Sequence, residues 1–528
     1  MIFDRVKPLN TIIATAEKKG LKRSLGPFHL TMLGIGAVIG TGIFVLTAEA
    51  AQKAGPGMMV SFVIAGFVCA VAALCYAELA SMVPVAGSAY TYTYAVNGEL
   101  LAWMVGWALI LEYAVGSSAV AVGWSNHAVG LLHGLGIDIP QWLSNGDALI
   151  ANIQMSMGFE RTPDLVTAAQ TGGYFNLPAV IVVVLVMLLL ILGTTESARV
   201  NAILVAIKVA ALTAFIALTI PVLHATNFTP FTPTGTAGVF GAAASIFFAY
   251  VGFDAVSTAA EETRNPQRNV PIGLIGSLLF CTVFYLLVAA GAIGAMGAQP
   301  VTSAAGTLLS PGSAEIAGRC ATIVASGATQ PLVCSKEALV HVLDTIGWPG
   351  IGRLVGLAAV LALPSVVLMM MFGQTRIFFV MARDGLLPAK LASVHPRFKT
   401  PHIVTAVTGI VVTIAAAILP VGKLADYSNS GTLFAFMMVA ISVMVLRMRD
   451  PERKRPFRTP AIWIVGPLAI IGCIGLYFSL PLIAILVLPV WGAIGLLVYF
   501  GYGRSRSHVG RGVVEVVEDT PPIYGVNE

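Results

Sequence analysis

Runs of about twenty apolar residues, enough to cross a roughly 30 Å hydrocarbon core as an α-helix, recur in this 528-residue chain from residue 29 to residue 503. Lipid offers no partner for a backbone N–H or C=O, so such segments must satisfy their own hydrogen bonds. An all-α integral membrane protein is therefore expected. Charged residues make up 10% of the chain, against about 25% in soluble proteins. Twelve spans are expected, near 29–52, 57–82, 98–131, 176–193, 197–220, 237–260, 270–297, 350–375, 402–420, 426–447, 460–480 and 482–502. The first 28 residues are charged and lack the apolar core and small-residue cleavage site of a signal peptide. They are expected to form a cytoplasmic tail.

Of the 30 Lys and Arg, 23 fall on the side of the N-terminus when sorted over twelve spans, and six (Lys53, Arg161, Arg319, Lys336, Arg353, Lys423) fall opposite. Lys208 alone lies within a span. The bias follows the positive-inside rule and predicts a multi-pass protein of the cell (inner) membrane with both termini cytoplasmic. The +5 net charge then reflects topology and contact with inner-leaflet lipids; it does not imply nucleic-acid binding.

The first span carries Gly34, Gly36, Gly40 and Gly42. A helix-interior glycine costs about 1 kcal/mol relative to alanine, so a broken helix is expected, and broken backbone at membrane depth must be buried in protein or line a watery cavity. Close helix packing through small residues is the alternative. The sixth span holds a second interruption, Ser245 to Asp254, with aromatic residues around Gly252. Lys208 lies about ten residues from the cytoplasmic end of the fifth span, about 15 Å deep at 1.5 Å per residue. A lysine at that depth is either paired or able to lose its proton. Glu112, in the third span, is a proton acceptor, a partner for pocket water, or a neutral carboxyl bonded to a neighbouring helix. Cys320 and Cys334 share the outer loop between spans seven and eight, where an oxidising compartment permits a disulfide. No metal-ligand spacing is present, and no His, Asp or Ser constellation marks an enzyme.

The pairing of Gly-Ile-Gly-x-x-Ile-Gly-Thr-Gly-Ile-Phe (residues 34–44) with Ala-Glu-Leu-x-x-x-x-Pro-x-x-Gly-Ser-x-Tyr (residues 77–90) resembles the amino acid, polyamine and organocation transporter superfamily. The inner loop Glu261 to Pro271 is similar to the superfamily's pattern of acidic residues followed by Asn-Pro, the loop Met381 to Pro401 resembles its cationic amino acid transporter branch, bacterial type, and the resemblance covers roughly residues 22–455. It implies a LeuT-type 5+5 inverted repeat with discontinuous helices 1 and 6 plus two peripheral helices. The parts are a tail (1–28), two five-helix repeats (29–220 and 221–447), spans eleven and twelve (448–503) and a C-terminal tail (504–528). Such repeats place substrate at the midplane between two broken helices.

The resemblance implies a secondary active transporter of L-amino acids, neutral or cationic, with a non-transporting membrane amino acid sensor as an alternative. A half-helix starting at Thr41 and Gly42 offers N–H groups and a positive dipole end to a carboxylate. The carbonyls near Ile39 and those of Phe248, Ala249 and Val251 suit an ammonium group. Tyr250 and Phe253 are expected to close the pocket, Ser365 and Val366 to border its side-chain half with Glu112, and Asp254 to cap the inner half of the sixth span. Glu78 and Glu261 are expected to form inner-gate links with Arg376, Arg383 or other inner-loop basics. Lys208 matches a lysine that, in some proton-coupled members, occupies the region of a sodium ion in sodium-coupled relatives. The proton is thus the expected coupling ion, with sodium disfavoured and no cofactor; a fixed lysine and exchange without net proton movement are the alternatives. Cationic versus neutral preference, a small single-span membrane partner, and monomer versus weak oligomer stay open.

Overall fold

The structure, a computed structural model, describes residues 5–7, 25–83, 88–156, 166, 169–170, 172–193, 198–258, 260, 263–303, 306–311, 313–398 and 400–512. Most of both expected tails, and Glu261, lie outside these residues. The apolar runs fold as helices: α1 (Pro27–Val38), α2 (Thr41–Phe44), α3 (Leu46–Ala54), α4 (Met58–Met82), α5 (Ser88–Val96), α6 (Glu99–Gly134), α7 (Leu177–Leu192), α8 (Ala198–Thr219), α9 (Gly235–Ile246), α10 (Ala255–Thr258), α11 (Pro266–Met296), α12 (Pro349–Arg383), α13 (His402–Ile418), α14 (Val421–Arg449), α15 (Ile462–Phe478) and α16 (Leu482–Val498). Strand is limited, among the described residues, to the two-residue pair Ser144–Asn145 and Phe175–Asn176.

Eight helical segments are long and apolar enough to cross a membrane, and four further apolar helices are shorter. One of the eight, Leu46–Met82, has 37 residues and as one rod would measure about 56 Å, nearly twice the hydrocarbon thickness. It is not one rod, because Gly55 has φ +61° and Pro56 follows, so α3 ends there and α4 begins after a tight turn. Only glycine adopts that backbone without a Cβ clash.

Large apolar side chains on α7, α11, α13, α15 and α16, among them Leu185, Leu279, Ile414, Ile471 and Leu497, face outward. An exposed apolar belt of this extent needs an apolar solvent. Inside the belt, α6 is the axial helix and is buried along nearly its whole length. Its Gly123 receives Thr41, whose side chain occupies the space a Cβ would need, and its Trp124 donates its indole N–H to the Val360 carbonyl at 2.8 Å. Pro364, four residues on in α12, has no N–H to give that carbonyl. Trp124 therefore supplies a bond that the proline removes.

Candidate functional site

The first interruption is narrower than the glycine count implied. Gly34 and Gly36 lie in regular helix, where a Cβ would come within 2.4 Å of Ser277 Oγ on α11 and 2.7 Å of Val205 on α8. They serve close packing. The backbone leaves the helix at Ile39 (φ −71°, ψ 93°) and Gly40 (φ −142°, ψ −150°) and restarts at Thr41. Restarting leaves the first amides of α2 without intrahelical acceptors. Gly42 is needed for contact with the second broken segment, since a Cβ there would lie 2.3 Å from the Ala249 Cα. Both readings of the glycine stretch therefore hold, at different residues.

In the second interruption α9 tightens into a 3₁₀ turn over Phe247–Tyr250, Val251 is extended, and Gly252 takes φ +111° against the Ala37 carbonyl. Three carbonyls were expected to be free here, and two are engaged. Phe248 O accepts the Val251 N–H at 3.2 Å. The Tyr285 hydroxyl of α11 lies 3.0 Å from Ala249 O and 2.8 Å from Val38 O, the last carbonyl of α1. One hydroxyl proton thus serves two carbonyls released by two different breaks. Tyr285 escaped the sequence reading; its only signal is a tyrosine in an apolar span, which when buried needs a partner.

Lys208, fully buried on α8, donates from Nζ to the Gly36 carbonyl at 2.8 Å. That carbonyl would pair with the Gly40 amide if α1 continued. A cation at a helix C-terminus is also favoured by the helix dipole. Lys208 and Tyr285 together cap the broken end of α1.

Phe253 packs edge-on against Tyr76 and tilted against Phe436, with ring centroids 6.0 and 5.1 Å away, and Phe247 joins Phe436. An aromatic plug therefore fills the space beneath the breaks. Asp254 directly precedes α10, and its carboxylate accepts the Tyr113 hydroxyl at 2.9 Å. Glu112 is buried beside Asp254 and Thr432, and neither of its oxygens has a protein partner. Val366 faces Gly40 across the break, 3.6 Å from where a Cβ would stand. Ser365 donates its hydroxyl to Ala362 O of its own helix. Tyr250 turns away toward α4, donating to Phe62 O at 3.0 Å.

Ion pairs lie at both ends of the bundle. At the end carrying the N-terminus, Arg447 grips Glu78 with two 2.8 Å bonds, Arg455 sits 3.2 Å from it, and the Thr459 amide donates to it. Of the inner-loop basics expected for Glu78, the structure pairs it with Arg447 and Arg455, whereas Arg376 lies over the Phe372 ring. Arg447 stands in the last turn of α14, which packs against α4. Breaking a buried pair costs about 3–5 kcal/mol; Arg447→Ala should therefore lower the thermal midpoint in detergent by several degrees, whereas Arg453→Ala, in a partly exposed pair with Asp450, should change it much less. At the same end Glu99 accepts from Arg5, Tyr94, Tyr499 and Ser507, and Asp384 from Lys7 and Tyr90. At the opposite end Lys53, Ser245 and Asp426 join α3, α9 and α14. His127 pairs with Glu337 at 2.9 Å, and Cys320 is bonded to Cys334. These long-range clusters join charged and polar residues that stand far apart in the chain and carry no local motif.

The chain is similar over most of its own length to named transporters. It is 41% identical over 506 residues to the branched-chain amino acid permease BcaP of Bacillus subtilis, covering 96% of this chain and 98% of that protein. It is 39% identical over 504 residues to the methylthioribose transporter of the same organism, covering 95% and 98%. Identity to the chloroplastic cationic amino acid transporter 9 of Arabidopsis thaliana is 33% over 473 residues, covering 88% and 74%. The profile of the family described as amino acid permease matches residues 25–495. With two buried helix breaks tied together by Tyr285 and Gly42, and Lys208 capping the first of them, inside an apolar belt, this chain belongs to the amino acid permease family of the amino acid, polyamine and organocation superfamily.

Proposed function

We propose that the protein is a secondary active transporter that carries neutral L-amino acids, branched-chain ones foremost, across the cell membrane in symport with protons. It does so by alternating access through twelve spans of LeuT type. In this reading α1–α3 form the first span, α9 with its 3₁₀ turn and α10 the sixth, and α15 and α16 the peripheral pair. The five-helix repeats are residues 29–220 and 221–447. Both termini face the cytoplasm, in line with the charge bias.

The observation that carries the reading is the Lys208 bond to Gly36 O at the broken end of α1. A protonated Lys208 holds α1 in place, and its deprotonation weakens a charge-assisted bond, so proton binding biases the two access states. The α-carboxylate is placed at the restarting amides of Thr41 and Gly42, and the ammonium at Ile39 and Val251, beside the engaged Phe248 and Ala249. The side chain points to Val366, an apolar neighbour, which favours a neutral substrate over arginine or lysine. The names of two Bacillus relatives, a branched-chain permease and a methylthioribose transporter, fit a small apolar or thioether-bearing cargo.

Purified protein in proteoliposomes with an inward proton gradient should accumulate labelled leucine, isoleucine or valine and be inhibited by excess of each. Lysine and arginine should compete at least tenfold more weakly. Accumulation without a gradient, dependent on preloaded amino acid, would point to exchange instead.

Tyr285→Phe tests the second tie. It leaves two released carbonyls without a donor, each costing about 1–3 kcal/mol. Uptake should fall at least tenfold with the protein still monodisperse in detergent.

A further inference from the structure

We propose that the start of α11 and the loop after α14 together form a binding site for one anionic phospholipid. A groove of about 650 Å³ lies there, its wall formed by Pro271, Ile272, Ile275, Gly276 and Phe457, with Arg268 at its rim. Arg268 is exposed, and none of the ion pairs among the described residues includes it. An unpaired guanidinium above an apolar trough matches a phosphate headgroup attached to an acyl chain.

Two further observations favour a lipid. The apolar wall runs on into the outward stripe of α11, where Ile272, Leu279, Val283 and Leu287 are 43%, 65%, 49% and 40% exposed. A chain seated in the groove therefore continues along a surface already facing the bilayer. The loop wall is also held in place: the Phe457 amide donates to Ser81 Oγ at 3.2 Å and the Thr459 amide to Glu78 at 2.8 Å. Lys454 and Arg458, on either side of Phe457, are exposed and add positive charge at the headgroup level. The far side of α11 packs on α1, where a Cβ at Gly273 would lie 2.8 Å from the Leu30 Cβ. The occupant thus touches the helix that backs the broken span.

The site rests on the orientation proposed above, which places this end in the anionic inner leaflet; binding in detergent, where no leaflet exists, tests the groove separately. Full-length protein, delipidated in detergent, is titrated with dioleoyl phosphatidylglycerol or dioleoyl phosphatidylcholine, and bound lipid is counted by native mass spectrometry. Phosphatidylglycerol should bind at least fivefold more tightly, as one basic contact near an anionic headgroup provides. Arg268→Gln should remove most of that preference, and Ile272→Gln should weaken both lipids. Arg511→Gln, outside the groove, should change neither. Equal binding of the two lipids, an unchanged preference in Arg268→Gln, or displacement by inorganic phosphate alone would overturn the proposal.

Discussion

Replacing Lys208 by alanine is expected to abolish proton-driven accumulation while leaving substrate exchange detectable. One pH unit is worth about 1.4 kcal/mol per proton, so one-to-one symport can concentrate substrate about tenfold across a gradient of one unit. Wild-type proteoliposomes should approach that ratio. Lys208→Ala should settle at a ratio near one whatever the gradient, and counterflow should persist if the pocket survives. The geometry motivates the split: Lys208 touches the Gly36 carbonyl behind the break, whereas the proposed substrate contacts lie at Ile39 to Gly42. Lys208→Arg keeps a charge but cannot release it at working pH. It should also fail to couple, which separates titration from simple capping. Undiminished pH-driven uptake in Lys208→Ala would remove the residue from the mechanism.

The second large effect is expected at Gly42. An alanine Cβ there would stand 2.3 Å from Ala249 Cα, and backbone cannot yield as a side-chain tip does. Overpacking of this kind costs about 1–3 kcal/mol and would push the two broken segments apart. Gly42→Ala should therefore lose at least nine-tenths of uptake and lower the thermal midpoint. Gly40→Ala is the control. A Cβ at Gly40 meets Val366 at 3.6 Å and the Val38 carbonyl oxygen at 3.9 Å, both ordinary van der Waals contacts, and φ there is negative. Gly40→Ala should keep its midpoint and discriminate more strongly against large side chains such as isoleucine. Equal loss in both variants would mean that Gly42 acts through substrate contact and not through packing.

Much of the fold was legible because membrane helices declare themselves locally. Each apolar run has to satisfy its own backbone, so the positions of the long helices follow from twenty-residue windows. Gly252 and the residues around it mark the second break in the same local way. The first break was legible only as a region. Gly34, Gly36, Gly40 and Gly42 look alike in the sequence, and what separates packing from breaking is the neighbour each one meets: Ser277, Val205, Val366 or Ala249. Those neighbours come from three other helices and the second broken segment.

The same division holds for the polar groups. Lys208 announced itself, since a lysine in the middle of a span has few reasons to be there, and its approach to the α1 carbonyls follows from the deficit that a broken helix leaves. Tyr285 did not, because one hydroxyl in an apolar run says nothing about which carbonyls lie within 3 Å. Glu78 was read as an inner-side ion-pair residue with several candidate basics and no single one chosen. Charge predicts that a buried carboxylate needs a cation, but the choice of Arg447 over Arg376 was made by the packing of α4 against α14. By itself the sequence determined an all-helical membrane chain with two weak points and a lysine near one of them, since hydropathy, glycine content and buried charge act over one turn or one span. The tertiary structure decided which carbonyls the breaks leave unpaired and which side chains cap them, because those bonds depend on distances of about 3 Å between helices remote in sequence.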